Sequence, residues 1–429
     1  MTANKAFLLW FLIPLSLSVG FSAEITVGGG TGIAAGKNLY GINLWRGIDP
    51  EVAENPSYRS NLIEMGIGVV RFHNMGLAKW IDTTNRCWRT NSILRVMAAL
   101  GPLFPVKMVT VCKPPAWMDE DGDKRLDESH LDHYAAWAAG LVTIVNKLGG
   151  AKVEWWETLN EAELGGYKKK EDGEDLARIY LRCKAAMLQV DPGIRVGANA
   201  WSWSMPPQAS VLLAKVGAEL PFYSYHSYAT GDAKAEAQDI YDKAWTNDRT
   251  RVRSALADRG LSLPIWCDEW NMFYDWRADS ARHFMVSHRG PVFDALYLKS
   301  AVESKGVDYL LAWNDSDNTY GKMSIQFQRF GGGYLFGLYH RFMVGEVLKT
   351  STGDDRVVPF AVKGADGLLA VSLANRSEEP KEISLAFPAP VSTGTRYDLT
   401  PNGVVQAPWD PKGKTLTLAP ETVSLITVR

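Results

Sequence analysis

The sequence has few cysteines, almost no net charge and, after its first twenty residues, no long apolar run. Four cysteines in 429 residues are too few for a disulfide-built scaffold, and their spacing matches no zinc motif. A formal net charge of −2 provides no basic surface for a polyanion, which argues against a nucleic-acid partner. These absences indicate an ordinary globular protein, and the length predicts one large domain with a smaller one beside it.

Residues 1–23 are predicted to be a secretory signal peptide. One lysine precedes the apolar run AFLLWFLIPLSLSVG, which is too short to span a bilayer and is followed by small residues. The cleavage site stays open between Gly20 and Ala23, and a retained membrane anchor is the alternative. Cleavage would leave a secreted or periplasmic protein without membrane contact. Its cysteines could then pair, with Cys87 and Cys112 as one candidate bridge.

Aromatic side chains are what the sequence has in abundance. It contains 16 Trp, 16 Tyr and 15 Phe residues. Their flat apolar faces and polar edges suit stacking on sugar rings, although many of them must also fill the core. The composition is therefore compatible with a carbohydrate ligand.

A strand followed by a helix recurs through residues 38–345. Eight apolar segments are predicted as strands: residues 39–44, 68–73, 105–111, 153–160, 194–200, 222–228, 264–269 and 309–313. Helical periodicity fills the segments between them, which close on glycine or on a proline turn. This alternation implies parallel strands with right-handed crossovers. The number eight favours a closed (β/α)8 TIM barrel over a doubly wound open sheet.

Residues 346–429 have a different pattern, in which short strands are separated by turn signals, as in LLAVSLAN and KEISLAF. This pattern predicts a C-terminal antiparallel β-sandwich domain. Residues 24–37 are rich in glycine and are predicted as an N-terminal strand that joins the same domain. Their GGGTG motif precedes no helix, which argues against a phosphate-binding loop.

Two of the predicted strands end on a carboxylate. The fourth lies in EWWETLNEAEL and ends at Glu161, and the seventh lies in PIWCDEWNMF and ends at Glu269. Barrel chemistry takes place at the carboxyl ends of the strands, where strands four and seven face each other across the mouth. Their carboxyl groups can then lie about 5 Å apart, as in a retaining glycosidase. We predict Glu161 as acid/base and Glu269 as nucleophile, against the alternatives of a helix-start carboxylate and a salt-bridged strand end.

Further side chains near the strand ends are predicted to bind the sugar: Asn160, Arg71, His73, His226, Tyr228, Trp313 and Trp45. An amide can hydrogen-bond a sugar hydroxyl, and an indole can form the floor of a subsite. Trp117, Trp201 and Trp203 also lie in strand-to-helix loops. For each of these tryptophans, packing in the core is the alternative.

The alternation of a strand makes two more predictions about the barrel interior. Asp268 is expected to face away from the mouth if its neighbour Glu269 faces inwards. Glu157 is expected to point into the barrel below the mouth, where a carboxylate needs a partner such as Arg71 or Lys107.

Other kinds of site have weaker support. His130 and His133 are three residues apart beside Asp132, a spacing that could hold a metal, but a solvated helix start explains them as well. Ser224 and Ser227 lack the context of a nucleophile elbow. We therefore predict no metal and no cofactor.

Three motifs resemble glycoside hydrolase clan A, the retaining TIM-barrel glycosidases. VRFHNMG (residues 70–76) resembles the second strand of family 39, the β-xylosidases and α-L-iduronidases. CDEWNMFYDW (residues 267–276) resembles the seventh strand of family 51, the α-L-arabinofuranosidases, and His226–Ser227–Tyr228 is similar to a His-x-Tyr feature of the clan. The β domain also suits these families and family 30. One departure is Ala162, where many clan members have proline after the Asn–Glu pair.

The resemblance implies Glu161 as acid/base, Asn160 as its sugar-binding neighbour and Glu269 as nucleophile. We expect a secreted, metal-independent, retaining glycoside hydrolase of polysaccharides or oligosaccharides, similar to a β-xylosidase or an arabinofuranosidase. The alternatives are an endo-acting glucanase, mannanase or xylanase, and a carbohydrate-binding barrel that has lost hydrolysis. An esterase would need a serine elbow or a metal triad.

Overall fold

The structure is a computed structural model that describes residues 22–73, 79–232, 234–246, 250–275, 284–400, 403–411 and 415–429. Nearly all of the predicted signal peptide lies outside these residues, and export therefore stays a prediction. Within the part of the chain that is described, no helix has both the length and the apolar character needed to cross a membrane.

Eight parallel strands form the barrel: Gly41–Leu44, Val69–His73, Val106–Thr110, Trp155–Asn160, Arg195–Ala200, Tyr223–Thr230, Ile265–Phe273 and Tyr309–Ala312. We number them barrel strands 1 to 8. Each coincides with a predicted strand, and neighbours in the chain pair with each other from strand 1 to strand 5 and from strand 6 to strand 8, with strand 8 on strand 1. The ring closes beyond strand 5, where Trp201 pairs in parallel with Tyr225 of strand 6. The closed barrel is therefore confirmed and the open sheet is excluded.

Helices lie between the strands and around the barrel: Pro50–Ala53, Pro56–Glu64, Thr90–Leu100, Leu131–Val142, Gly173–Val190, Pro207–Val216, Ala237–Thr246, Thr250–Ala257, Gly290–Ser304 and Gly331–Phe342. Local sequence explains where they begin. The Asn55 side chain accepts from the backbone N–H groups of Ser57 and Tyr58, and Pro56 takes the first helical position, where no N–H is needed.

The barrel interior has an apolar floor with a charged layer above it. The floor lies towards the amino ends of the strands and consists of Val69, Met108, Trp155, Phe222, Trp266 and Leu311. Two residues further along three of these strands come Arg71, Glu157 and Asp268, which are fully buried. Successive inward positions of a strand are two residues apart, so the same face of each strand supplies both layers.

The C-terminal domain is a nine-stranded sheet of Ala23–Ala35, Gly345–Thr352, Val357–Lys363, Leu369–Asn375, Lys381–Ala386, Gly394–Thr400, Gly403–Trp409, Leu416–Leu418 and Thr422–Val428. The N-terminal strand pairs antiparallel with Gly345–Thr352 and parallel with Lys381–Ala386, which makes the sheet mixed. The Tyr339 hydroxyl lies 2.7 Å from the Ser372 hydroxyl and fixes the barrel's last helix to this sheet. A (β/α)8 barrel with a C-terminal β domain is confirmed.

The cysteines are free thiols, and the bridge suggested between Cys87 and Cys112 is not formed. Cys87 is exposed on a two-stranded hairpin (Ile81–Asp82 with Cys87–Trp88), whereas Cys112 is buried just beyond barrel strand 3. The two side chains therefore lie in different environments, one at the surface and one in the core.

Candidate active site

A cavity of about 1060 Å³ opens at the carboxyl ends of the barrel strands. It has the size and aromatic character of a small-molecule site, and both predicted catalytic carboxylates line it. All but one of the predicted sugar-binding residues line it as well: Asn160, His73, His226, Tyr228, Trp313 and Trp45.

Glu161 lies on a tight turn at the end of barrel strand 4. Its backbone is left-handed (φ 48°, ψ 40°), its N–H donates to the Ala200 carbonyl at 2.8 Å, and a short 3-10 turn, Ala162–Leu164, follows. The N–H of Ala162 donates to the Asn199 side chain at 3.1 Å. Proline has no N–H, so this contact gives a physical reason for alanine at the position where many clan members have proline. The side chain of Glu161 is 24% exposed to the cavity.

Glu269 is held from several sides. Arg71 donates to it at 2.8 Å, Tyr228 donates to its other oxygen at 2.9 Å, and ring nitrogens of His73 and His226 lie 3.4 Å away. Only 6% of the side chain is exposed. Because the donors come from strands 2 and 6, the closed barrel itself assembles this environment.

Asp268 does not line the cavity, but the strand alternation from which it was predicted to turn away from the mouth is interrupted at this residue. Cys267 pairs with Tyr225 and Glu269 pairs with His226, so that Asp268 is an extra residue on strand 7 and forms a β-bulge. The bulge turns Asp268 and Glu269 towards the interior together. Asp268 is fully buried, and its carboxyl lies 3.2 Å from Arg71 Nε.

The two catalytic candidates meet at His226. The Nδ1 atom of its ring lies 2.8 Å from a carboxylate oxygen of Glu161, and its Nε2 lies 3.4 Å from one of Glu269. One oxygen of each carboxylate and a nitrogen of His226 all lie within 4.8 Å of one another. Carboxyl groups of retaining glycosidases are about 5 Å apart, whereas inverting enzymes keep at least about 6.5 Å. The geometry therefore suits a double displacement.

Buried charges set the protonation states around Glu269. Burial alone would raise its pKa, but the charge of His226 and the hydrogen bond from His73, together with other positive neighbours, lower the pKa below its usual range. Burial would likewise lower the pKa of His226, but the carboxylates of Glu269 and Asp268 raise it to about 10. At neutral pH the pair is therefore a carboxylate next to an imidazolium.

The pKa values of Asp268 and His73 shift in the directions that favour their neutral forms. Burial, assisted by the charge of Glu157, raises the pKa of Asp268 well above its usual range despite the neighbouring Arg71. Burial lowers the pKa of His73 in spite of its contact with Glu269. With the pKa of Asp268 raised and that of Glu269 lowered, Glu269 is the more readily ionised group at this strand end, which is the state a nucleophile needs.

Arg71 is the predicted sugar-binding residue that the structure places elsewhere. Its guanidinium is fully buried below the cavity, where it donates to Glu157 at 2.8 Å and to Asn160 at 2.6 Å as well as to Glu269. The expected partner of Glu157 is thus Arg71, because Lys107 donates to the Phe104 carbonyl instead. The geometry assigns Arg71 to charge compensation rather than to direct contact with a ligand.

The aromatic residues divide between cavity and core. The rings of Trp45, His73 and Trp313 pack together with centroids 4.9 to 5.7 Å apart and form one wall. Trp203 also lines the cavity, whereas Trp201 is buried and Trp117 packs edge-on against Trp137. Only some of the loop tryptophans therefore face the cavity.

The sequence reasoning missed residues in the loops. Asn314, Asp317 and Tyr320 line the cavity from the segment after barrel strand 8, and Tyr274 does so after strand 7. Asn314 directly follows the predicted strand end at Trp313, and this position alone predicts that its side chain lies near the mouth. The others depend on how a loop folds, which no periodicity reveals.

Among the described residues, three groups of side chains have the spacing to hold a metal ion. Two share Asp127 in the loop before helix Leu131–Val142, and one of these includes His130 with Glu120 at 2.9 Å. The third consists of Glu161, His226 and Glu269.

No protein-family model matches the chain, and no curated protein matches it by sequence. Solved structures do match. An α-L-arabinofuranosidase from Thermotoga maritima has a TM-score of 0.67 at 15% identity, covering 95% of this chain and 99% of that one. A β-xylosidase from Caulobacter crescentus CB15 has a TM-score of 0.66 at 16% identity, covering 94% and 99%. A GH30 endoxylanase from Clostridium papyrosolvens C71 has a TM-score of 0.62 at 12% identity, also covering 94% and 99%. The likeness establishes the shared fold.

Proposed function

We propose that the chain is a retaining glycoside hydrolase that uses Glu269 as nucleophile and Glu161 as acid/base. The observation that carries this proposal is the approach of the two carboxylates to within 4.8 Å at the mouth of a barrel. The fold is one that solved arabinofuranosidases, a xylosidase and xylanases also have, which supports the same reaction class.

In the first step, an oxygen of Glu269 attacks the anomeric carbon of the sugar while the bond to the leaving oxygen breaks. Glu161 transfers its proton to that oxygen, so an alcohol leaves and a glycosyl ester of Glu269 remains. Tyr228 and Arg71 donate to Glu269 and keep its carboxylate fixed in the attacking orientation.

In the second step, Glu161 removes a proton from water, and the water oxygen attacks the anomeric carbon. The ester bond to Glu269 breaks, which restores the carboxylate and releases a sugar with the original anomeric configuration. The contact between Glu161 and His226 at 2.8 Å orients the carboxyl group in both steps.

For the substrate we propose a neutral pentoside, such as an arabinofuranoside or a xyloside, and an exported enzyme that meets it outside the cytoplasm. Aromatic rings and uncharged polar groups provide most of the described cavity wall, in keeping with a neutral sugar. A panel of aryl α-arabinofuranoside, β-xyloside, β-glucoside and β-galactoside tests this choice.

Trapping the covalent intermediate tests the mechanism. An activated 2-deoxy-2-fluoro glycoside of the preferred sugar slows the second step, and mass spectrometry of the digested protein should locate the added sugar on Glu269. The Glu269→Gln variant is the control and should carry no label. Labelling of Asp268, or inverted configuration of the product, would overturn the proposal.

A further inference from the structure

Large apolar side chains are concentrated at one part of the cavity rim. Among the described residues, eight large hydrophobic side chains are exposed, and three of them line this cavity: Leu164 (61% exposed), Trp203 (46%) and Tyr274 (66%). Isolated exposed apolar residues are ordinary, but a group of them at the mouth of a cavity marks a surface for a ligand. We call these three residues the apolar rim.

The apolar rim lies on the same side as Glu161. Leu164 ends the short turn that begins at Glu161, and Trp203 lies three residues beyond the end of barrel strand 5. Tyr274 follows strand 7 and lies against Gly231, which follows strand 6. The rim therefore runs from strand 4 to strand 7 through strands 5 and 6.

The opposite wall has a different composition. There the packed rings of Trp45, His73 and Trp313 come from the ends of strands 1, 2 and 8, and His73 approaches Glu269. A sugar packed on this wall would have its anomeric carbon close to Glu269, which the ring of His73 approaches. The apolar rim then faces whatever is bonded to the sugar.

The apolar rim is held in place before any ligand arrives. The carboxylate of Glu163 accepts from the Asn199 side chain at 2.8 Å and from the backbone N–H of Ser202 at 2.6 Å. Glu163 is adjacent to Leu164, and Ser202 is adjacent to Trp203. One buried carboxylate thus ties the two loops that carry these side chains, so little ordering entropy is lost when a ligand binds between them.

We propose that the apolar rim is the binding site for the leaving group and that it favours an aryl or alkyl group over a second sugar. The inference rests on the proposed function, because Glu161 must protonate the leaving oxygen and the leaving group must therefore lie beside it. Leu164 provides only carbon surface and could not satisfy the hydroxyls of a sugar, so the preference depends on Leu164. Trp203 and Tyr274 provide flat faces on which an aromatic ring can stack.

The test compares two substrates that share a sugar and differ in leaving group. A glycosyl fluoride has a leaving group too small to reach the rim, whereas a phenyl glycoside fills it. In Trp203→Ala and in Leu164→Ala, the ratio of kcat/KM for the phenyl glycoside to that for the fluoride should fall about tenfold or more, as expected for lost burial of a large apolar side chain. Leu148→Ala is the matched control, because Leu148 is 63% exposed on a helix away from the cavity.

Each outcome has a separate meaning. If neither substrate is hydrolysed with any sugar in the panel, the proposed function fails. If the fluoride is hydrolysed but the ratio in Trp203→Ala and Leu164→Ala equals that of Leu148→Ala, the rim does not bind the leaving group. If kcat/KM of the two rim variants falls as much for a disaccharide as for the phenyl glycoside, the preference for an apolar leaving group is wrong.

Discussion

The ends of barrel strands 4 and 7 carry the same chemical group in two different settings. Glu269 on strand 7 is nearly enclosed, and Arg71 and Tyr228 both donate to it. Glu161 on strand 4 is about a quarter exposed and has His226 as its described partner. A fixed, enclosed carboxylate suits attack on carbon, whereas an open one can exchange its proton with an alcohol or with water.

The difference originates in the layer below the mouth. Arg71 reaches up from strand 2 to Glu269 on strand 7 and sideways to Glu157 on strand 4, and of the two catalytic candidates its guanidinium contacts Glu269. Glu161 instead lies on a left-handed turn that lifts it away from this layer. Backbone geometry therefore gives identical side chains at the two strand ends different surroundings, which suit the two proposed roles.

Removing the enclosed carboxylate should have the largest effect. Glu269→Ala leaves no atom to form the glycosyl ester, and kcat on an aryl glycoside should fall by about a millionfold, the scale seen when a covalent nucleophile is deleted. Added azide should restore turnover and give a glycosyl azide of inverted configuration. Glu382→Ala, on the exposed surface of the β domain, is the control. Full activity of Glu269→Ala would show that Glu269 is not the nucleophile.

Removing the open carboxylate should have a smaller effect that depends on the leaving group. Glu161→Ala should lower kcat/KM for a phenyl or alkyl glycoside by about 10²–10⁴-fold, the range for general acid catalysis. A dinitrophenyl glycoside needs no proton in the first step, so its glycosylation rate in a pre-steady-state burst should change little. An equal loss of glycosylation rate on both substrates would show that Glu161 does not act as the acid.

Neutralising the buried cation should destabilise the protein far more than neutralising an exposed one. Arg71→Met leaves Glu157 and Glu269 without a buried counter-charge, and the free energy of unfolding should fall by about 3–5 kcal/mol, as when one partner of a buried ion pair is removed. Arg95→Met is the matched control, because Arg95 pairs with Glu54 at 2.6 Å on the open surface and should have a much smaller effect. Urea denaturation measures the free energy of unfolding of both variants. Equal effects would contradict the assignment of Arg71 to charge compensation.

The barrel and its two carboxylates could be predicted from sequence because both depend on periodic patterns. Apolar strands alternating with amphipathic helices predict eight parallel strands, and a strand that ends on glutamate predicts an acidic side chain at the mouth. Glu161 and Glu269 follow from this reasoning alone. The distance between them follows too, since the closed barrel fixes which strands face each other.

Other features depend on single-residue departures from a regular pattern. The bulge at Asp268 inserts one residue into strand 7, and no periodicity marks such an insertion. Arg71 was predicted at the correct strand end, but its depth depends on which carboxylates it meets inside the barrel. Tyr320 and Tyr274 reach the cavity from loops, whose conformation is set by tertiary contacts.

The last predicted effect concerns His226, the residue that connects the two carboxylates. Its pKa of about 10 in the folded protein exceeds the value of about 6.5 expected for an unfolded chain. The stabilisation from its charge is therefore complete below about pH 6.5 and is lost as the pH rises through about 10. The difference in unfolding free energy between wild type and His226→Gln should fall by more than half between pH 6.5 and pH 10, measured by urea denaturation.

A second histidine provides a control of opposite sign. Burial lowers the pKa of His340, on helix Gly331–Phe342, so any stability gained from its neutral form is lost only as the pH falls. The difference between wild type and His340→Gln should therefore stay constant between pH 6.5 and pH 10. If the difference for His226→Gln is also constant, His226 is not the imidazolium between Glu161 and Glu269. The contrast between the two strand ends would then depend on Arg71 and Tyr228 alone.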